Sequence, residues 1–168
     1  MPSLSQPFND IFFSAVSNGQ YFIDELFRNK FGDPAPDYGH SVIGFYRKSF
    51  QHFMPVCHMN YLLHEEIMLC GGAMTDGAAF AEMPETLAAE IRAGGGIYFH
   101  LIKYAFDHFA DHCEAFFGYA GDPRALEVDL AAGYEPTGHR HLIVHFHKPV
   151  SEQRKRQLIE KAHALGPF

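Results

Sequence analysis

Apolar positions along this chain recur with two periods. From about Ile97 to Ala110 they fall at Ile97, Leu101, Ile102, Ala105, Phe106 and Phe109, the spacing of a helix with one buried face. Phe8 to Phe31 carries Phe12, Phe13, Val16, Phe22, Ile23, Leu26 and Phe27, which reads as one or two amphipathic helices broken near Asn18-Gly19. Gly32 to Asp37 is a loop, because each proline restricts itself and the residue before it. Ser41 to Phe50 reads as a strand. Phe53 to Leu63 reads as a second, with Val56, His58, Asn60 and Leu62 on one face, and Glu66 to Gly72 as a third. Met83-Pro84-Glu85-Thr86 opens a short helix that ends before Gly94-Gly95-Gly96.

Cys113 to Tyr119 is short and apolar, as a buried strand is. Asp122-Pro123 then starts a helix: the carboxylate caps free N–H groups and proline suits the first helical position. That helix runs to about Ala132 and Gly133 stops it. His139 to His147 alternates like a strand, and Ser151 opens a last helix with Leu158, Ile159, Ala162 and Leu165 on one side. The sum is a mixed α/β domain spanning residues 1–168, antiparallel strands first and a βαβ-like half after them.

Composition narrows the function classes. A hydrophobic share of 47% argues against disorder. A formal net charge of −7 disfavours nucleic-acid and anionic-membrane partners, which need a positive footprint. The run Arg154-Lys155-Arg156 reads as a solvated face of the last helix. No apolar run reaches the ~20 residues of a membrane helix. Met1 to Gln6 lacks the pattern of a signal peptide, so a cytoplasmic location is expected. Cys57, Cys70 and Cys113 are odd in number and scattered, unlike a disulfide framework.

The order strand, Asp122-Pro123 helix, Gly133-Tyr134, strand resembles the C-terminal half of the GNAT superfamily, the acyl-CoA-dependent N-acyltransferases. That family often shows Asn-x-x-Ala-x-x-x-Tyr-x-x-x-Gly-Phe there. Asp122 stands in the Asn place, Ala125 in the Ala place, Asp129 in the Tyr place, and Gly133-Tyr134 for Gly-Phe. The resemblance spans about Ser41 to Pro149. It implies a GNAT-like fold: a central, mostly antiparallel, splayed sheet flanked by helices. It also implies acetyl-CoA or another acyl-CoA as co-substrate, a small-molecule or peptide amine as acceptor, and a possible homodimer.

The family binds the CoA pyrophosphate on backbone N–H groups at a helix start, where the helix dipole favours an anion. The corresponding loop is Arg92-Ala93-Gly94-Gly95-Gly96-Ile97-Tyr98. Taking Gly96 as the family's first glycine puts Tyr98 at its second; taking Arg92 and Gly95 instead puts Ile97 there. A rival loop, Asp76-Gly77-Ala78-Ala79, follows the third strand directly but is interrupted by Pro84. The resemblance thus assigns Gly94, Gly95, Gly96, Ile97 and Tyr98 to the phosphates, Gly72, Ala73 and Met74 to the pantetheine arm, and Asp122 and Arg124 to the cofactor side of the next helix. Thr75 to Glu90 lies where the family has a few residues, and is expected to form a lid or a substrate-binding insertion.

Acylation of an amine needs a neutral amine and a stabilised oxyanion. GNAT-like enzymes recruit a Glu on the central strands as base and a Tyr in the late helix to protonate the thiolate. This implies Glu66, beside Glu65, as base. Asp129 in the Tyr place could donate only if burial keeps it protonated; Tyr134 and Tyr119 are the alternative donors. The replacements at Tyr98 and Asp129 point to a second class, a GNAT-like domain that has lost the reaction and binds a ligand or protein. Twelve histidines complete the inventory. His139, His141, His145 and His147 are expected on one face of the closing strand, and His108 and His112 lie one helical turn apart. These spacings suit a metal, but they read first as a polar sheet face, and no metal site is assigned.

Overall fold

The computed structural model describes residues 5–168. Met1 to Leu4, most of the stretch read for a signal peptide, lies outside the described residues. The strands are β1 (Ser5–Phe8), β2 (Ile11–Val16), β3 (His40–Ser49), β4 (His52–His64), β5 (Ile67–Thr75), β6 (Ala115–Tyr119), β7 (Glu135–Pro136) and β8 (Leu142–His145). They form one sheet in the order β1-β2-β3-β4-β5-β6-β8-β7. Every adjacent pair is antiparallel except β5 and β6, which run parallel. Parallel neighbours need a crossover. Here it is made by α2 (Gly77–Ala81), α3 (Glu85–Ala93) and α4 (Ile97–Phe109), followed by a single 3₁₀ turn at Ala110–His112.

Helices cover both faces. The core on one side joins Leu87 and Ile91 of α3, Leu101, Ala105 and Phe106 of α4, and Ala132 of α5 (Pro123–Ala132) to inward residues of the strands. On the other side α1 (Gln20–Phe31) buries Ile23 and Phe27 against Ile43 and Met74. Also on that side, α6 (Glu152–Leu165) buries Leu158 and Ala162 against Leu69 and Phe117. The periodic residues of α4 are all buried, as their spacing predicts. Asp122 caps α5 by accepting from the Arg124 N–H at 2.9 Å, and Ser151 caps α6 from the Arg154 N–H at 3.2 Å.

Four expectations are corrected. Phe8–Val16 is not helical: Ile11 to Val16 pairs residue by residue with β3, so Phe12 and Phe13 face opposite sides of a strand. The break at Asn18-Gly19 remains, and the helix starts only after it. Thr75 to Glu90 is no lid, because Ala79, Met83 and Leu87 are buried in the main core. Val56 leaves the face of His58 and Asn60, since the β3–β4 register shifts between Gly44 and Phe45 and moves it to the opposite core. The closing strand begins only at Leu142, after His141 takes φ 65°, so the four histidines do not share a face. His139 stacks on His163 of α6, whereas His145 stacks on Phe106 of α4.

Candidate active site

The parallel ladder between β5 and β6 runs from Ile67↔Ala115 to Cys70↔Gly118 and stops. β6 ends one residue later, at Tyr119, while β5 continues to Thr75 along β4. The two strands therefore part after Cys70, and the β6-side edge of Gly71 to Thr75 faces a cleft. Gly72, at φ 63°, sits where the β4–β5 register shifts. A bulge of this kind re-aims a strand beside a site, and glycine takes this backbone without strain.

Four side chains meet at the fork. Tyr98, from the second position of α4, donates its hydroxyl to Asp129 Oδ1 of α5 at 3.1 Å. Tyr134, just past α5, buries its hydroxyl in the same place. The Cys70 thiol lies beside the hydroxyls of Tyr61 and Tyr134. With Gly72, Ala73 and Gly118 these groups enclose a cavity of about 100 Å³. It opens along Ala73 and Tyr98 into a groove of about 220 Å³ lined by Lys30, Met74, Thr75, Asp122 and Ala125. That groove continues past Lys30 toward Asp76 and Gly77. Lys30 Nζ donates to the Thr75 carbonyl at its mouth, at 3.3 Å.

Burial sets the protonation states here. Asp129 is only 5% exposed, and its carboxyl is pushed up to about 6, although the Tyr98 hydroxyl acts against this by stabilising the carboxylate. The thiol of Cys70 and the phenols of Tyr98 and Tyr134 are raised by the same desolvation. The fork is thus a low-dielectric site in which one group, Asp129, titrates near neutrality.

The structure brings Gly72, Ala73, Tyr98, Asp129 and Tyr134 together, with Met74 and Asp122 along the adjoining groove. Tyr119 lines the cleft with its ring against Phe168. Glu66 stands apart, before the first residue of β5. It accepts from Lys161 at 2.7 Å and Arg154 at 3.1 Å, and the Lys161 ammonium holds its carboxyl below the usual range. Gly94, Gly95 and Gly96 also serve another purpose than expected. Their N–H groups donate to the carbonyls of Glu90, Arg92 and Ile91, closing the end of α3 instead of forming an anion nest. Ile97 is buried in the core and Arg124 is exposed. At the rival loop the Asp76 carboxylate already caps Ala78 N–H.

Sequence reasoning missed Cys70, Gly118 and Lys30. It also missed the pairing of Tyr98 with Asp129, which depart from two separate motifs, the glycine loop and the late helix. The histidines are absorbed locally: His145 Nδ1 bonds the Gly133 carbonyl and His147 Nε2 the Ala110 carbonyl, each at 2.7 Å. No cluster of three or more His, Cys, Asp or Glu suited to a metal occurs among the described residues. No helix among them is long and apolar enough to cross a membrane.

No protein-family model matches the chain, and no curated protein matches its sequence. Solved structures do match its fold. A chain of the NatC complex bound to Gag peptide and CoA superposes with a TM-score of 0.58 at 13% identity, covering 83% of this chain and 99% of that one. A protein from Lactobacillus plantarum classed as an N-acetyltransferase gives 0.51 at 10% identity, covering 82% and 99%. The chain has the GNAT, or acyl-CoA N-acyltransferase, fold.

Proposed function

We propose that this protein transfers an acyl group from acyl-CoA to an amine. The observation that carries the reading is the Tyr98–Asp129 pair at the fork of β5 and β6. In the transfer the amine lone pair attacks the thioester carbonyl, a C–N bond forms, and the C–S bond breaks. The amine must lose a proton and the departing thiolate must gain one. A carboxyl near pH 6 suits both steps, because it is mostly ionised at neutral pH and easily protonated. Asp129 takes the amine proton and returns it to sulfur, with the Tyr98 hydroxyl orienting the carboxylate. Tyr134, whose buried hydroxyl lies beside the Cys70 thiol in the same cavity, donates to the developing oxyanion.

The groove supports an acyl-CoA as co-substrate. Past Cys70 the edge of β5 offers backbone groups to the amides of an extended pantetheine arm, as an added strand would use them. Lys30 supplies a cation at the outer end. The CoA found with the NatC neighbour agrees with this choice of ligand.

One observation favours a second reading, a ligand-binding domain without transfer: the glycine loop spends its N–H groups on α3, leaving fewer donors for a pyrophosphate. Thermal unfolding with and without acetyl-CoA, paired with a thiol-release assay over a panel of amines, separates the two. Acyl transfer predicts a saturable upshift of several degrees, about 2.7 kcal/mol at 100 times Kd, together with amine-dependent thiol release. An upshift with no thiol release for any amine would establish the second reading. No shift at millimolar acetyl-CoA would end the first.

A further inference from the structure

Residues 166–168 leave α6 and lie across the base of the fork. Past the last rung, Cys70↔Gly118, the first residues left without each other are Gly71 on β5 and Tyr119 on β6. Phe168 spans that gap. Its ring packs edge-on against Tyr119, with the centroids 5.0 Å apart. Its backbone lies against Gly71, where a Cβ would stand 3.3 Å from the Phe168 carbonyl carbon. Phe168 lines the Asp129 cavity and also a pocket of about 90 Å³ on the α6 side of the sheet, bordered by Asn60 and Leu69. It is the partition between the two.

The partition is lightly held. Pro167 has no N–H to donate, and among the described residues no hydrogen bond ties Pro167 or Phe168. Pro167 is exposed and Phe168 half-buried. The turn into the segment depends on Gly166 at φ 76°, a conformation that glycine takes freely and a β-branched residue avoids. A segment held by packing alone opens more easily than the hydrogen-bonded strands beneath it.

The same contacts close a route. Side chains of α4 and α5 cover one face of the fork, and the groove toward Lys30 is the place of the acyl-CoA. The α6 side is the remaining approach to the thioester, and Phe168 stands in it. We propose that residues 166–168 form an autoinhibitory strap: seated, they keep amine and water from the fork, and transfer proceeds when Phe168 lifts. This rests on the acyl-transfer reading and adds its regulation.

The test compares the wild type, a chain shortened to end at Leu165, and Gly166→Val. A Cβ at Gly166 meets nothing within 4 Å, so this variant unseats the strap through its backbone, keeps the whole chain and leaves the fork untouched. Thiol release from acetyl-CoA is followed with no amine, with spermidine, with a peptide bearing a free N-terminus and with an Nα-blocked lysine peptide. A strap open roughly a tenth of the time weakens apparent acceptor affinity about tenfold, so both variants are expected to lower the KM of the amine used by about that factor. The acetyl-CoA KM is expected to stay the same, and amine-free release, by hydrolysis to acetate and CoA, to rise. The chain has no tryptophan, so Phe168→Trp adds a single indole, whose emission is expected to move to the red when Gly166→Val is combined with it. Unchanged or slower transfer in both variants, or an indole emission that does not move, overturns the strap and leaves acyl transfer standing. An acetyl-CoA thermal shift with no transfer to any amine in any of the three proteins overturns it together with catalysis. Absence of both shift and transfer removes the reading on which it rests.

Discussion

Along β5, residues Ile67 to Cys70 are paired with a strand on either side, whereas Gly71 to Thr75 keep β4 and have lost β6. The first half carries Ile67, Met68 and Leu69, all buried; the second shrinks to Gly71, Gly72 and Ala73 before Met74. Each half has its own carboxylate nearby. Glu66, at the paired end, is partly exposed and held low by Lys161. Asp129, beside the unpaired end, is buried and raised to about 6. The same chemical group is a surface clamp in one place and a titrating centre in the other. Cations and water make the first; their exclusion makes the second.

The sharpest way to break this contrast is to remove the titrating carboxyl. Asp129→Asn keeps an acceptor for the Tyr98 hydroxyl but removes the proton acceptor, and kcat for acyl transfer is expected to fall by roughly 10²–10⁴-fold. Tyr98→Phe tests the same pair through pH. The lost hydrogen bond favours the ionised carboxyl, so Asp129 should titrate higher, and the acidic limb of the kcat profile should move up from about pH 6. A full rate in Asp129→Asn would take Asp129 out of the mechanism.

The next effect is on stability, and its sign is fixed. The folded pKa of Asp129, about 6, lies above the ordinary aspartate value of 3.8. Between those values the folded protein holds a proton that the unfolded chain has released, so stability falls as pH rises through the window and levels off above it. The full difference is up to about 3 kcal/mol, at 1.36 kcal/mol per pKa unit. Urea unfolding at pH 4.5 and 7.5 should show about 2 kcal/mol of that loss in the wild type and much less of it in Asp129→Asn. Equal pH dependence in the two proteins would mean that the carboxyl is hydrated in solution.

How much of this was legible beforehand follows the range of the interactions. α4 and α5 could be read because their determinants are local: a repeat of apolar residues, a capping Asp before Pro, a stopping Gly. The β1–β2 hairpin could not, since Ile11 to Val16 carries enough apolar residues for a helix and only its pairing with β3 makes it a strand. The histidine face failed on one dihedral, at His141. The site divides in the same way. The glycines of β5 marked the fork, but Tyr98 and Asp129 are 31 residues apart on different helices. Each looked like a separate loss. Only the crossover that packs α4 beside α5 brings the two side chains together.

The smallest effect sharpens the comparison from its other side. Glu66 is one of three carboxylates, with Glu65 and Glu114, that fasten Arg154 and Lys161 of α6 to the paired end of β5 and β6. All these side chains retain water contact, and partly exposed pairs contribute about 0–1 kcal/mol. Glu66→Gln should therefore cost less than about 1 kcal/mol in urea unfolding at pH 7 and low salt, and the difference should shrink in 1 M salt. Its depressed pKa gives the opposite sign to Asp129: the contribution is present above pH 4.5 and lost as pH falls through the folded value. Acyl transfer and its acidic limb near pH 6 should be unchanged, because the carboxylate is committed to α6. A large fall in kcat would return Glu66 to the role of base and erase the distinction between the two halves of β5.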